Sequence, residues 1–443
     1  MFEYSNRFNT EESKKRGMRL AIMKLSDNPK EPALKWLGYF TKYPTNYLVN
    51  YPGNQIFQGL LTVAALALAL TNCSASTTRP LLALPCGINM VQRSLSPAAA
   101  PNHFTFVMGG DNRSTGRGVP MPPTATQIFR ELHLLQPAFA LWMGDTIYGS
   151  DDSVGEAEAE YDVFLQSVAL GATPVFNAPG NHEIFNRRDL EQLYVKRMGP
   201  LYGSFDYGNS HFIAIDTEEI GPAGGVSVEQ MTWLKQDMEA NKGAAHLFAF
   251  MHHPLYPYDD KEMLADPPTV TALHKLFVTY GVKNVFQAHE HGFFKSVHDG
   301  ITYWVSGGAG APTSGSPEEG GYQHYVQMEV DGAQVTGTVL EPWRLFSTVG
   351  PSGPDGSATA LVSNYDGVAL SLCAEFTAAA NPDAVAWATS TYKGKTKYLT
   401  ATIVPSRVPG VVTVRCAVPA HRSVLISLGS KAGAAKAKTA SAP

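Results

Sequence analysis

Residues 138–145, AFALWMGD, decide the fold of this chain. Every position from Ala138 to Met143 is apolar, so the run lacks the alternation of a strand with one face in water. A short apolar run of this kind indicates a strand covered on both faces, as in a parallel sheet with layers packed above and below it. The stretch therefore predicts a buried strand in a layered α/β domain.

Apolar runs of strand length recur between Phe104 and Leu340 and alternate with helical patterns. SVEQMTWLKQDMEA (227–240) has a Ser227–Gln230 capping box and an apolar face, which predicts a helix. MEVDGAQVTG (328–337) predicts a hairpin. We therefore expect one layered domain over residues 100–345. The further apolar runs are FTFVMGG (104–110), PVFNAPGN (174–181), HFIAID (211–216), LFAFMHH (247–253), VKNVFQAH (282–289) and ITYWVSGG (301–308).

The sequence changes character after this domain. GPSGPDGSA (350–358) indicates a linker, assigned to 346–358. Alternating apolar residues then predict a small β-rich module over 359–430, and a disordered tail is expected over 431–443. Cys373 and Cys416 could form a disulfide if the protein is exported, although Cys373 shares its strand face with small residues.

The N-terminal part divides into a polar segment, 1–55, of unknown role and a hydrophobic segment, 56–76. The apolar stretch is shorter than the ~20 residues of a spanning helix and fits a secretory signal or anchor. LTNC (70–73) also resembles a lipoprotein box around Cys73, with Asn72 in place of the usual small residue. We expect export to an extracytoplasmic location, with possible membrane attachment; a buried or interfacial helix is the alternative.

Composition excludes some classes of function. The chain has 443 residues, is 44% hydrophobic and 16% charged, and carries a net charge of −5. Without a basic run, an electrostatically captured nucleic acid is not expected as a partner. The four cysteines form no CxxC pair, which disfavours a thiolate zinc site.

Polar side chains with metal-ligand chemistry follow five of the apolar runs. The carboxyl ends of parallel strands meet at one edge of a sheet, so these side chains are expected to lie close together. Mixed carboxylate, amide and imidazole ligands suit a hard-to-borderline metal ion. The residues are Asp111, Asp145, Asn181, His252, His289 and His291.

The two histidines of the last run suggest two metal ions. On extended backbone, His289 and His291 would be rooted roughly 6.6 Å apart on the same side, at ~3.3 Å per residue. Paired metals in hydrolytic sites lie ~3.5–4 Å apart. Each imidazole could therefore serve a different ion.

Five motifs in order resemble those of the calcineurin-like metallophosphoesterases, and within them the purple acid phosphatase branch. The resemblance spans roughly residues 104–311 and implies two central β-sheets flanked by helices, with two metal ions, iron paired with iron, zinc or manganese. The motifs are GGDNR (109–113), GDTIY (144–148), GNHE (180–183), MHHPLY (251–256) and AHEHG (288–292).

The resemblance also implies a role for each residue that matches a motif. Asp145 would bridge both ions, and His182 would contact substrate and protonate the leaving group. Tyr148 matches the tyrosine that binds ferric iron in the purple branch, with a packed aromatic as the alternative. The first ion would be held by Asp111 and His291, and the second by Asn181, His252 and His289.

Several positions depart from the family pattern. Arg113 stands where most relatives outside the purple branch have a histidine; it could clamp a phosphate oxygen or form an ordinary ion pair. Ala288 replaces a glycine and needs an ordinary backbone geometry there. His253 is expected to point away from the ligands, by strand alternation. Asp259 and Asp260 stand where plant-type relatives carry substrate histidines.

The implied activity is a hydrolase acting on a phosphate monoester or diester, with a phosphorylated small molecule or other phosphoester as substrate. Attack would be in line, by a metal-bound hydroxide and without a covalent enzyme intermediate. The alternative is a catalytically degenerate surface or binding protein that uses the C-terminal β module.

Overall fold

The structure is a computed structural model, and it describes residue 95 and residues 100–221, 225–353, 357–377 and 383–441. Every element below lies within Ser76–Pro443. The predictions for residues 1–55, for 56–76 and for Cys73 lie outside the described residues. None of the helices in the described part of the chain combines the length and apolar character needed to cross a membrane.

Strands make up most of the regular structure. In chain order they are β1 (His103–Gly109), β2 (Ala140–Met143), β3 (Val175–Ala178), β4 (Gly203–Tyr207), β5 (Ser210–Ala214), β6 (His246–Phe250), β7 (Asn284–Gln287), β8 (Phe293–His298), β9 (Ile301–Ser306), β10 (Tyr325–Asp331), β11 (Gln334–Leu340), β12 (Leu345–Val349), β13 (Ala358–Asn364), β14 (Leu370–Phe376), β15 (Val385–Tyr392), β16 (Lys395–Leu399), β17 (Ala401–Val404), β18 (Val412–Val418) and β19 (Arg422–Gly429).

Helices separate the strands of the first half. They are α1 (Pro123–Leu135), α2 (Val154–Gly171), α3 (Asn181–Ile184), α4 (Arg188–Arg197), α5 (Val228–Asn241), α6 (Pro267–Tyr280) and α7 (Lys431–Ala440), with short 3-10 turns at Asp260–Glu262 and Pro317–Glu319. The predicted start of α5 is confirmed, because the Ser227 hydroxyl accepts a hydrogen bond from the Gln230 amide at 3.1 Å.

Two mixed sheets form the centre of the described structure. The first has the strand order β11-β10-β1-β2-β3 and the second β4-β5-β6-β7-β9-β8. Strands β1, β2 and β3 run parallel, as do β5, β6, β7 and β9, whereas β10–β11 form the predicted hairpin, with Asp331 paired to Gln334. Within each sheet the carboxyl ends of the parallel strands therefore lie along the same edge.

An aromatic core joins the two sheets. Phe106 of β1 lies 5.4 Å from Phe212 of β5 and 5.6 Å from Phe286 of β7, measured between ring centroids. All three side chains are fully buried. Because both sheets pack through this layer and carry helices on their outer faces, their apolar strands need no polar face. This confirms the predicted layered α/β fold.

The C-terminal region is rich in strands, as predicted, and forms two further sheets. Their orders are β12-β13-β19-β15-β16 and β14-β18-β17. They share a hydrophobic core with α1 and α2, in which Phe129 and Trp142 pack in the same cluster as Leu372 and Val424. The buried Glu131 of α1 accepts hydrogen bonds from the Tyr325 hydroxyl (2.7 Å) and from two backbone amides at the start of β12.

Two predictions for this region are wrong. Residues 346–349 of the predicted linker 346–358 belong to β12, because Leu345–Val349 pairs with Ala360–Asn364. The predicted disordered tail, 431–443, contains α7, whose Ala- and Lys-rich sequence favours a helix and whose first turn is capped by Ser430.

The possible disulfide between Cys373 and Cys416 is not formed, and both thiols are buried and free. Cys416 pairs with Leu372 across the two strands, while Cys373 pairs with Arg415. The two sulfurs therefore point to opposite faces of the sheet, which prevents a bond.

Candidate metal centre

The candidate site lies where five parallel strands end. Asp111 follows β1, Asp145 follows β2, and Asn181 follows β3. His252 follows β6, and His289 with His291 follows β7. The structure brings the six predicted ligands at the strand ends to one place, from both central sheets.

Three of them form a group that we call the carboxylate cluster: Asp111, Asp145 and His291. The ligand atoms of these three side chains lie within 4.8 Å of one another. His291 Nε2 is 3.5 Å from Asp111 Oδ1, a buried oxygen that has no hydrogen-bond donor. A buried acceptor without a donor is costly unless a cation compensates it.

A second group, which we call the imidazole cluster, consists of His252, His253 and His289. His252 Nε2 lies 3.1 Å from His289 Nδ1 and 3.0 Å from Asn181 Oδ1. The other nitrogen of His252, Nδ1, contacts the Met143 carbonyl at 2.7 Å. His252 Nε2 therefore faces the side chains of His289 and Asn181.

Asp145 contacts both clusters. It belongs to the carboxylate cluster, and its Oδ1 lies 3.4 Å from His252 Nε2 of the imidazole cluster. Its carboxylate is almost fully buried, at 2% exposure. A carboxylate that lies within reach of both groups is positioned to be a shared ligand of two cations.

Three of these residues have a backbone conformation that L-residues rarely adopt. The φ angles of Asp111, Asp145 and His289 are 61°, 52° and 69°. Such positive angles cost free energy and tend to occur at functional sites. Ala288 is not among the residues with positive φ, so the expected ordinary geometry at the replaced glycine is confirmed.

Glycine and a buried carboxylate hold the loop that carries Asp145. A Cβ on Gly144 would lie 2.5 Å from the Gly180 amide nitrogen, so the two loops approach too closely for a side chain. Glu183 accepts hydrogen bonds from the amides of Asp145 (2.8 Å) and Thr146 (2.6 Å). Burial, reinforced by the charge of Asp145, raises the pKa of Glu183.

His182 is oriented by the same loop. Its Nδ1 contacts the Tyr148 carbonyl and lies 3.0 Å from the Ser150 hydroxyl, while its Nε2 lies 3.9 Å from Asp145 Oδ2. A carbonyl only accepts hydrogen bonds, so Nδ1 carries the proton and Nε2 is directed toward Asp145. This is the arrangement expected of a side chain that exchanges a proton at the site.

Arg113 and Tyr148 border the centre. Arg113 Nε donates to Asp145 Oδ2 at 3.1 Å, which is an ion pair with the shared carboxylate. The Tyr148 ring lies 5.6 Å from the His182 ring, between centroids. The role of the Tyr148 phenol as a ligand stays a prediction.

The surroundings of Asp145 and His252 favour the protonation states that bind metal ions. Burial alone would raise the pKa of Asp145, but His252, His182 and Arg113 hold it well below its usual range. Burial lowers the pKa of His252, which favours the neutral imidazole.

At His289 and His291 burial also lowers the pKa, but contacts with Glu262 and Asp111 outweigh it and raise the pKa. A charged Asp145 beside a neutral His252 suits a bound metal ion, and a cation would displace the protons of the other two imidazoles. The donor set, the oxygen without a donor and the strained backbone all fit the two predicted metal ions.

Residues 119–293 match the family model of the calcineurin-like phosphoesterases. This chain carries a calcineurin-like phosphoesterase domain. The match includes Asp145, Asn181 and the three histidines predicted as ligands, and it begins after Asp111. It confirms the predicted superfamily and the expectation of a phosphoesterase.

Acid phosphatase type 7 of Danio rerio is similar in sequence to the phosphoesterase domain. The two are 25% identical over 239 residues, which cover 47% of this chain and 53% of that protein. The chain thus spans about half the length of the curated relative it matches. The acid phosphatase likeness agrees with the predicted relation to the purple acid phosphatases.

Two solved structures are also similar. A dimetal phosphatase from Danio rerio has 14% identity and a TM-score of 0.45, over 54% of this chain and 97% of that chain. GAP50, the anchor in the inner membrane complex of Plasmodium, has 12% identity and a TM-score of 0.44, over 54% and 84%. At these values the two likenesses add nothing to the family match.

Two expectations about the ligands of the phosphoesterase domain are wrong in their geometry. Strand β7 ends at Gln287, so His289 and His291 lie in a loop and not on extended backbone. The two imidazoles still separate into different clusters. Likewise β6 ends at Phe250, so alternation does not turn His253 away; its ring lies 3.8 Å from that of His289.

Sequence reasoning missed three carboxylates that support the site. Glu218 contacts His253 Nδ1, and Glu262 Oε2 lies 3.2 Å from His289 Nε2. The third, Glu183, is the last residue of the GNHE motif, and its place in that motif was the available signal. Nothing in the local sequence pairs Glu218 or Glu262 with a histidine, because each contact joins separate loops.

Proposed function

We propose that this protein is a metal-dependent hydrolase of phosphate esters with two cations at the strand-end site. The observation that carries the proposal is the position of Asp145, which contacts both the carboxylate and the imidazole cluster. The family match over residues 119–293 supports the reaction class. A monoester or a diester of a small molecule is the proposed substrate.

The residues divide the work between holding charge and moving a proton. When bound, two cations would neutralise the phosphoryl oxygens and activate water for in-line attack. His182 donates Nδ1–H to the Tyr148 carbonyl, so it would act as the imidazolium and give its Nε2 proton to the leaving alcohol. Arg113 holds the shared carboxylate in place and is 19% exposed, so it can also reach a phosphoryl oxygen at the mouth of the site.

The test is hydrolysis of p-nitrophenyl phosphate and of bis(p-nitrophenyl) phosphate with iron, manganese or zinc added. Wild type should turn over at least one ester, and Asp145→Asn should lose about 10³-fold or more. The loss is expected to be this large because metal ions stabilise the transition state by several kcal/mol, and each ~1.4 kcal/mol changes the rate tenfold.

The matched control is Asp151→Asn, an exposed carboxylate on the same loop, which should keep wild-type activity. Absence of turnover by wild type with every metal would favour the alternative of a binding protein. Full activity of Asp145→Asn would instead contradict the role of Asp145 as the shared ligand. Circular dichroism should show the same fold for all three proteins.

We also propose an extracytoplasmic location, supported by the apolar segment at 56–76 and the lipoprotein-like Cys73. Cell fractionation of the full chain tests it, with Cys73→Ser as a second sample. Recovery in the cytosolic fraction alone would contradict the proposal, and a shift of only the wild type to membranes would identify Cys73 as the anchor.

A further inference from the structure

Among the three predicted imidazole ligands, His289 is the one whose second ring nitrogen contacts a side chain, that of Glu262. Glu262 Oε2 lies 3.2 Å from His289 Nε2. The other two predicted imidazole ligands use backbone carbonyls instead: His252 Nδ1 contacts Met143, and His291 Nδ1 contacts Pro312 at 2.8 Å. The support of His289 can therefore be changed by substitution, whereas that of the others cannot.

The geometry assigns the two ring nitrogens of His289 to different tasks. Nδ1 lies 3.1 Å from His252 Nε2 and so faces the imidazole cluster. A neutral imidazole has one N–H, and a carboxylate accepts hydrogen bonds, so contact with Glu262 places that hydrogen on Nε2. The lone pair of Nδ1 is then free to bind a cation.

The loop that carries Glu262 is fastened to the loop that carries His289. The carboxylate of Glu290 accepts hydrogen bonds from the amides of Tyr258 (2.8 Å) and Asp259 (2.9 Å). The 3-10 turn Asp260–Glu262 follows, closed by the Glu262 amide, which donates to the Asp259 carbonyl at 2.9 Å. Glu290 lies between His289 and His291 in sequence. The segment that carries the ligand His289 therefore also holds in place the loop that carries Glu262.

We propose that Glu262 is a positioning residue that sets the cation affinity of the imidazole cluster through His289. This rests on the proposed function, because it requires a cation there. Carboxylates that hold a metal-binding histidine fix its tautomer and orientation, and their loss weakens metal affinity about 10- to 100-fold. The Glu262 side chain is 42% exposed, so its replacement should leave the fold intact.

The experiment measures metal content and affinity, by elemental analysis and by competition with a chelator, using Mn²⁺ or Zn²⁺ on the full chain. Wild type should bind two equivalents. Glu262→Ala should bind one of them about 10- to 100-fold more weakly and the other unchanged. Glu262→Gln keeps an oxygen acceptor without charge and should fall between the two.

The matched control is Asp260→Asn, which removes an exposed negative charge from the same turn and should bind like wild type. Excess metal should restore the activity of Glu262→Ala, because the chemical groups remain in place. Two equivalents bound by Glu262→Ala with wild-type affinity would overturn the role of Glu262 alone. No metal bound by wild type would overturn this proposal together with the proposed function.

Discussion

The two halves of the candidate centre differ in chemistry although they share Asp145. The carboxylate cluster offers two carboxylates and one imidazole, and the imidazole cluster offers three imidazoles beside the Asn181 amide. Anionic oxygen ligands suit hard, highly charged cations, whereas imidazole suits borderline divalent ions. The asymmetry teaches that the carboxylate cluster favours a harder cation than the imidazole cluster does.

The two halves also differ in how they are held. The carboxylates are buried and sit on backbone with positive φ at Asp111 and Asp145. Two of the imidazoles are held by carboxylates from other loops: Glu218 behind His253, and Glu262 behind His289. Contacts from other loops therefore hold both halves, but Glu183 binds the backbone amide of Asp145, whereas Glu218 and Glu262 contact the imidazole side chains.

The largest effect is expected when one half is removed at a time. Asp111→Asn keeps an acceptor for the His289 amide, and His252→Asn keeps a donor for the Met143 carbonyl. Each should lose one metal equivalent and about 10³-fold or more in kcat/KM, since several kcal/mol of charge stabilisation is lost. Elemental analysis should show a different ion missing from each variant. Loss of the same ion from both would break the comparison.

A smaller effect is expected at His182, which belongs to neither half. His182→Asn keeps a donor for the Tyr148 carbonyl and removes Nε2. Activity should fall ~10²–10⁴-fold on an ester with an alkyl alcohol as leaving group, because a general acid is lost. The fall should be much smaller with p-nitrophenyl phosphate, whose leaving group needs little protonation. Equal losses on both substrates, or a loss of bound metal, would exclude the acid role.

The smallest effect is expected at His253. His253→Asn keeps a donor to Glu218 and removes the remaining ring nitrogen. If the ring only supports its neighbour His289, at 3.8 Å between centroids, metal affinity should fall about tenfold. Complete loss of one equivalent would instead make His253 a ligand and extend the imidazole half.

The sequence was sufficient to predict the strand ends and the residues that they carry. Continuous apolar runs mark covered strands, and the residue after each run is fixed within one or two positions, so Asp145 and His252 were predictable from local pattern. The structure brings them together because parallel strands have their carboxyl ends on one edge.

What depends on loop conformation was not predictable. Alternation applies only within a strand, and β6 ends before His253, so its direction was misjudged. The positive φ of His289 cannot be predicted from its residue type, because histidine commonly adopts negative φ angles. Glu262, which contacts His289, lies in another loop, 27 positions earlier in the chain. Contacts of this kind arise only once the whole domain has folded.

Helix α1 has a consequence for any attempt to isolate the hydrolase part. Its buried face packs in one cluster with Leu372 and Val424, and its Glu131 receives the amide hydrogens of Arg344 and Leu345. A chain shortened after Leu340 would leave that carboxylate stripped of two donors and an apolar face open to water. We expect such a fragment to precipitate. The strand-rich C-terminal region is therefore part of the folding unit of the enzyme and cannot be removed as a separate domain.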